Sequence, residues 1–139
     1  MMRNLLIICT VAFGLMACEK SAGEGGTSVI EGQVYKIHTF QNATTGAWDT
    51  SYFQLNAGKD VFLIYGDDTA ELYDDKFETD YDGKYHFEYL RKGKYTIYIY
   101  ADSTDGSMIK YDYPVFQKIT IGSNNSTNKV ADFIIEKNQ

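Results

Sequence analysis

The chain has 139 residues, which suffices for one ordinary domain and is too short for two. Its 19 Asp and Glu outnumber 13 Lys and Arg, so the formal net charge is −6. A chain this acidic argues against nucleic acid as a partner.

The first residues have the pattern of an export signal. Met1 to Asn4 include one basic residue, and residues 5–17 then carry no charge. A membrane-spanning helix needs about 20 apolar residues, so this run is too short to span comfortably. A basic start, an apolar run and small residues before a break predict a cleaved signal peptide over residues 1–17.

The break carries a motif of its own. Leu15-Met16-Ala17-Cys18 resembles the lipobox of bacterial lipoproteins. The resemblance implies diacylglycerol on the Cys18 thiol, cleavage before Cys18 and acylation of the new amino terminus. In the Gram-negative sorting rule an aspartate after the cysteine favours the inner membrane. Glu19 at that position therefore implies an outer-membrane anchor, on the periplasmic face or at the cell surface.

Cleavage would leave a mature chain without an internal disulfide. Cys9 would leave with the signal peptide, and Cys18 would already be lipidated. The loss of Arg3 would leave 12 Lys and Arg against 19 Asp and Glu, a formal charge of −7. Membrane attachment would then depend on the acyl chains rather than on charge.

Residues 19–28, EKSAGEGGTS, contain three glycines and no aliphatic side chain larger than alanine. This composition predicts a flexible tether. We therefore expect a lipidated cysteine and tether over residues 18–28 and one folded domain over residues 29–139.

From Val29 onward, short apolar or aromatic runs with a period of two are separated by Gly, Asp and Asn. The runs are residues 29–40, 60–65, 84–90, 94–100, 115–121 and 130–135. Tyr, Phe, Ile, Val and Thr fill them, and these residues suit a pleated, half-buried surface. Repeated short strands of this kind predict an all-β sandwich or barrel.

A motif of turn and aromatic residues occupies the centre of the chain. It reads Glu78-Thr79-Asp80-Tyr81-Asp82-Gly83-Lys84-Tyr85-His86-Phe87, then Leu90, Gly93 and Tyr95-Thr96-Ile97-Tyr98-Ile99. With Gly32-x-Val34 and Ala57-Gly58-Lys59-Asp60-Val61 before it, this series resembles the carboxypeptidase regulatory-like domains. The resemblance implies a seven-stranded, antiparallel β-sandwich of the prealbumin-like (transthyretin-like) or Ig-like kind.

Local chemistry agrees with the motif at its turn. Asp82-Gly83 between apolar runs predicts a hairpin turn, because glycine tolerates positive φ. Five side chains are then expected to point inward: Tyr85, Phe87, Tyr95, Ile97 and Ile99. Residues 42–52 exceed what the family needs and form an insertion, either a long loop or an extra hairpin.

No serine or histidine predicts a catalytic or metal site. Ser51, Ser103 and Ser107 have no recognisable nucleophile context. His38 and His86 are the two histidines, and each falls at an outward-facing position of an alternating strand with no cysteine to join it.

Acidic residues between positions 67 and 82 suggest calcium, which prefers several oxygen ligands. A calcium loop aligned on Gly83 would, however, place Tyr89 where a bidentate Glu is required. We therefore expect a non-enzymatic protein with no metal site and no cofactor.

Aromatic side chains are the remaining candidates for a binding site. If the more apolar face of residues 95–99 points inward, Tyr98 and Tyr100 point outward. Together with Trp48 and Tyr52 from the insertion they would form an exposed platform, and such faces bind sugar rings or protein partners. The alternative is that the insertion covers the tyrosines and buries them.

We thus expect an outer-membrane lipoprotein that acts as a binding or structural accessory module. The alternative is a glycan-binding lipoprotein of a nutrient-uptake system that uses the exposed aromatic residues. The expected partners are the membrane, through the lipid on Cys18, and a glycan or a surface protein.

Overall fold

The computed structural model describes residues 21–104 and 110–138, and every regular element within them is a β-strand. The strands are β1 (Glu24–Gln41), β2 (Trp48–Leu55), β3 (Asp60–Ile64), β4 (Asp75–Glu78), β5 (Lys84–Leu90), β6 (Gly93–Thr104), β7 (Lys110–Ile121), β8 (Thr127–Lys129) and β9 (Phe133–Asn138). No helix in the described ranges is long and apolar enough to cross a membrane. Cys18 lies outside the described residues.

The strands form two sheets. One has four strands in the order β4-β3-β6-β7, with every pair antiparallel. The other has five strands built around β1, which pairs antiparallel with β5 and β2 and parallel with β8 and β9. The predicted all-β sandwich is confirmed, although one sheet is mixed and the described residues hold nine strands rather than seven.

The parallel pairs follow from the path of the chain. β7 ends in the four-stranded sheet at Ile121, and β8 and β9 then run beside β1 in the same direction. β8 matches residues 29–31 of β1, and β9 matches residues 34–39. The long β1 strand therefore pairs with two short strands, one after the other along its length.

The core lies between the sheets, as the sequence predicts. The five side chains expected to point inward (Tyr85, Phe87, Tyr95, Ile97 and Ile99) are all at most 2 % exposed. They pack with residues from facing strands, including Ile30, Val34, Leu63 and Phe133. Full burial of each large apolar side chain contributes about 1.5–3 kcal/mol.

The predicted turn at Asp82-Gly83 is present, but it joins the two sheets. Gly83 has φ of +68°, and the Asp80 carboxylate accepts hydrogen bonds from the N–H groups of Asp82 at 2.9 Å and Lys84 at 2.8 Å. β4 before the turn pairs with β3, whereas β5 after it pairs with β1. The expected hairpin is therefore an arch, because each flanking strand finds its partner elsewhere.

The tether prediction is wrong from residue 21 onward. β1 begins at Glu24, and the glycines of this segment lie against the Leu90–Arg91 backbone and the Arg91 side chain. A Cβ on Gly26 would collide with the Leu90 carbonyl. These glycines therefore permit close packing rather than flexibility.

The insertion forms an extra hairpin, one of the two predicted alternatives. Gln41 pairs with Trp48, and the turn between them closes through Asn42 N–H to Ala47 O at 2.8 Å. The Asn42 side chain accepts a hydrogen bond from Thr44 N–H at 2.9 Å, and Gly46 takes φ of +68°. β2 thereby extends the five-stranded sheet.

Candidate functional site

The structure separates the four aromatic residues that the sequence placed on one platform. Trp48 and Tyr52 belong to β2 in the five-stranded sheet, whereas Tyr98 and Tyr100 belong to β6 in the four-stranded sheet. Trp48 is 59 % exposed, and the backbone of Tyr52 pairs with His38. The side chain of Tyr52 lies outside what the structure describes.

Tyr98 points outward as its alternation predicts, yet it is only 7 % exposed. Phe62 stacks on it with ring centroids 4.9 Å apart, and Phe116 lies at 5.2 Å on the other side. The expectation that Tyr98 is solvent-facing is therefore wrong, and neighbouring strands rather than the insertion cover the ring. Tyr100 remains 41 % exposed at the edge of this cluster.

Of the two histidines, one has the predicted exposure. His86 is exposed on β5, 3.8 Å from the Glu88 carboxylate. His38 was expected to face outward and is instead 7 % exposed. It has the same parity along β1 as the buried Ile30 and Val34 and therefore lies on the core-facing side of the strand, near its far end.

The outer face of the five-stranded sheet carries an apolar surface that the sequence reasoning missed. We call it the aromatic patch. Its members are Tyr35, Ile37, Phe53, Leu55 and Ile134. The Tyr35 and Phe53 rings lie 4.5 Å apart, and Phe53 is 56 % exposed. The alternation of Tyr35 and Ile37 was a usable signal, but their cross-strand neighbours depend on the unpredicted pairing of β2 and β9 with β1.

A polar groove adjoins the aromatic patch on the same face. It has a volume of about 610 Å³, and Gly32, Val130 and Asp132 contribute to its wall at the gap between β8 and β9. The polar and charged side chains along it include Glu31, Gln33, Lys84, His86, Glu88 and Lys129. Those on β1 and β5 alternate with core residues, and Lys129 on β8 is in register with Glu31, which places their side chains on the outer face.

One ion pair in the groove spans two neighbouring strands. Glu31 is in register with His86 on one side and Lys129 on the other, and Lys129 Nζ lies 3.6 Å from the Glu31 carboxylate. The groove thus offers hydrogen-bond donors and acceptors close together, with carboxylates in excess of lysines.

One hydrogen bond joins the patch to the groove. The Tyr35 hydroxyl donates to Gln33 Oε1 at 2.8 Å, and Gln33 Nε2 donates to the Asp82 carbonyl at 2.6 Å. This chain of contacts holds the Gln33 amide in one orientation, with an aromatic surface directly beside it. The arrangement suits the binding of a ligand that has both apolar and hydroxyl-rich faces.

The tyrosine beneath the groove has an unusual environment. Tyr85 is 1 % exposed, and its hydroxyl has no hydrogen-bond partner among the described residues. The end of the Tyr85 ring occupies the space that a side chain at Gly32 would fill. Burial, together with the nearby Asp132 carboxylate, raises the pKa of the Tyr85 phenol. Within residues 21–104 and 110–138, no three His, Cys, Asp or Glu side chains are placed to hold a metal ion.

Comparison with known proteins gives distant likenesses only. No protein family matches the chain, and no curated protein matches it. A Pseudomonas aeruginosa protein described as a candidate carbohydrate binding protein is similar in structure, with a TM-score of 0.48, 20 % identity and coverage of 84 % of this chain and 92 % of that one. A 9R-lipoxygenase from Cyanothece gives a TM-score of 0.35 and 12 % identity over 95 % of this chain and 20 % of its own.

Likenesses this distant carry no argument about function, which has to come from the site itself. The resemblance to carboxypeptidase regulatory-like domains stays a prediction.

Proposed function

We propose that this chain is a non-enzymatic, outer-membrane-anchored lipoprotein that acts as a binding module. The outer face of the five-stranded sheet is its recognition surface. One observation carries the proposal: the exposed Phe53 ring packs on Tyr35, whose hydroxyl is bonded to the groove residue Gln33. Large exposed apolar side chains beside fixed polar groups are typical of recognition surfaces.

A glycan is the ligand that the groove favours. Glu31 and Lys129 lie in register across β1 and β8, so a neutral ligand with many hydroxyl groups meets an acceptor and a donor side by side. The acidic side chains outnumber the lysines along the groove, which disfavours anionic ligands. Tyr35 and Phe53 offer flat apolar surface for the less polar face of a sugar ring.

The binding test uses the mature protein and a panel of neutral and acidic glycans. Phe53→Ala and Gln33→Ala are each expected to weaken binding of a neutral glycan by about tenfold or more, equivalent to about 1.4 kcal/mol. Leu72→Ala is the matched control, because Leu72 is 88 % exposed in the connection between β3 and β4, which belong to the other sheet. Binding that survives both face variants, or is lost in the control, would refute the proposed surface.

The anchor has a separate test. Leu15-Met16-Ala17-Cys18 supports lipidation at Cys18, and Cys18→Ala should abolish both acylation and cleavage at this site. Mass spectrometry of the two proteins from membranes measures the acyl chains directly. A lipidated Cys18→Ala protein would refute the anchor.

A further inference from the structure

The described chain begins very close to the proposed lipid. Arg91 Nε donates a hydrogen bond to the Ser21 carbonyl at 3.1 Å, and Arg91 N–H donates to the Gly23 carbonyl at 2.9 Å. The three residues from Cys18 to Ser21 span at most about 11 Å in any conformation. Ser21 therefore cannot lie farther than that from the lipidated cysteine.

Several elements meet at the same end of the sandwich as Ser21. The β5–β6 turn contributes Arg91 and Lys92, and Tyr89 just before it is 69 % exposed. The loop after β7 lies there as well, since Ser28 Oγ donates to the Ser123 carbonyl at 3.0 Å. An exposed tyrosine beside lysine and arginine suits a lipid headgroup layer, because each has an apolar body and a polar tip.

β1 runs from this end to the opposite one. Its 18 residues, at about 3.3 Å each, extend on the order of 50 Å once its bulges are allowed for. Tyr35 and Ile37 lie in the second half of the strand, and the β1–β2 turn lies at its far end. The aromatic patch is thus distant from the point where the chain leaves the anchor.

We infer that the mature domain stands on the bilayer in a fixed orientation, with the β5–β6 turn against the lipid headgroups and the β1–β2 hairpin directed away. This inference rests on the proposed lipidation of Cys18. A long flexible tether would allow any orientation, whereas a link of three residues joined to a hydrogen-bonded segment does not. The aromatic patch is thereby held clear of the membrane, where a large ligand can reach it.

Single-cysteine labelling tests the orientation in the lipidated, full-length mature protein. Cys9 is lost with the signal peptide and the Cys18 thiol is blocked by lipid, so an introduced cysteine is the one reactive thiol. Lys92→Cys and Ala43→Cys, both at exposed positions, mark the two ends of the domain. Each is labelled with a fluorophore and reconstituted in phosphatidylcholine vesicles that contain a quencher attached to the lipid headgroup.

The label at position 92 should be strongly quenched, and the label at position 43 should emit as it does in vesicles without quencher. Ten Gly and Ser residues inserted between Lys20 and Ser21 have a reach of roughly 17 Å and should release the position-92 label from most of its quenching. Equal quenching at both positions, or quenching at position 92 that survives the insertion, would overturn the inference.

Vesicle flotation separates this result from the proposed anchor. Protein that floats with vesicles but shows equal quenching refutes the orientation alone. Protein that does not float refutes the anchor, and the orientation with it.

Discussion

The Tyr95 hydroxyl binds Gly23, 72 residues before it in sequence: it accepts a hydrogen bond from Gly23 N–H at 2.9 Å and donates one to the Arg91 carbonyl at 2.7 Å. Tyr95 is fully buried in the core. It therefore links the β5–β6 turn to the first described residues of the chain. The segment nearest the proposed anchor is held by a core residue.

Tyr95→Phe is expected to lower the free energy of unfolding by about 1–3 kcal/mol, because the buried Gly23 N–H loses its partner. Amide exchange at Gly23 should also accelerate. Tyr65→Phe is the control, since its hydroxyl contacts Glu24 in the same segment at 3.3 Å but in an exposed position. Urea unfolding measures the free energy of unfolding of both variants. An equal loss in the two would contradict the argument that the buried hydrogen bond contributes more than the exposed one.

Removal of the Tyr85 hydroxyl should have the opposite effect. This buried group has no partner among the described residues, so Tyr85→Phe should leave stability unchanged or raise it by about 1 kcal/mol. The comparison with Tyr95→Phe holds the chemical change constant and varies only the hydrogen bonding. A loss of more than about 1 kcal/mol would mean that water or a ligand reaches this hydroxyl from the groove.

Two glycines with the same backbone angle should respond differently to alanine. Gly83 and Gly46 both have φ of +68°, but a Cβ on Gly83 would lie 2.6 Å from the Val34 carbonyl oxygen, whereas nothing lies within 4 Å of one on Gly46. Gly46→Ala should cost about 1 kcal/mol from backbone strain alone, and Gly83→Ala about 1–3 kcal/mol more. Equal melting temperatures for the two variants would contradict the steric argument.

The free energy of unfolding at alkaline pH should depend on Tyr65. Partial burial of the ring, with the Glu24 carboxylate nearby, raises the pKa of Tyr65 from 10.0 to about 12. The folded state holds this proton more tightly than the unfolded state, so the contribution is complete below about pH 10 and is lost as pH rises toward about 12. The difference in urea midpoint between the wild type and Tyr65→Phe should therefore change over that interval and be constant between about pH 7 and 9.

Much of the strand arrangement is readable from the sequence because it depends on local alternation. Tyr85, Phe87 and Tyr95 are inward because side chains alternate along a strand, and a run with one apolar face must bury that face. Asp82-Gly83 is a turn because glycine accepts positive φ. These properties involve neighbours in sequence only.

Tyr98 and His38 were misjudged for different reasons. Tyr98 points outward as predicted, but Phe62 and Phe116 come beside it only through the pairing of β3 and β7 with β6. His38 has the same parity in β1 as the buried Ile30 and Val34, so it lies on the core-facing side of the strand, and its outward assignment was wrong on alternation itself. Alternation states which side of a sheet a residue occupies and does not state what lies over that side.

By itself, the sequence determined the all-β class, the inward face of the central strands and the turn at Asp82-Gly83, since each follows from residues within one short segment. Only the tertiary structure decided that the glycine-rich segment is packed, that Trp48 and Tyr98 lie on different sheets, and that Tyr35, Phe53 and Ile134 form one surface. The physical reason is register: which residues become neighbours across strands depends on pairings between segments up to about a hundred residues apart.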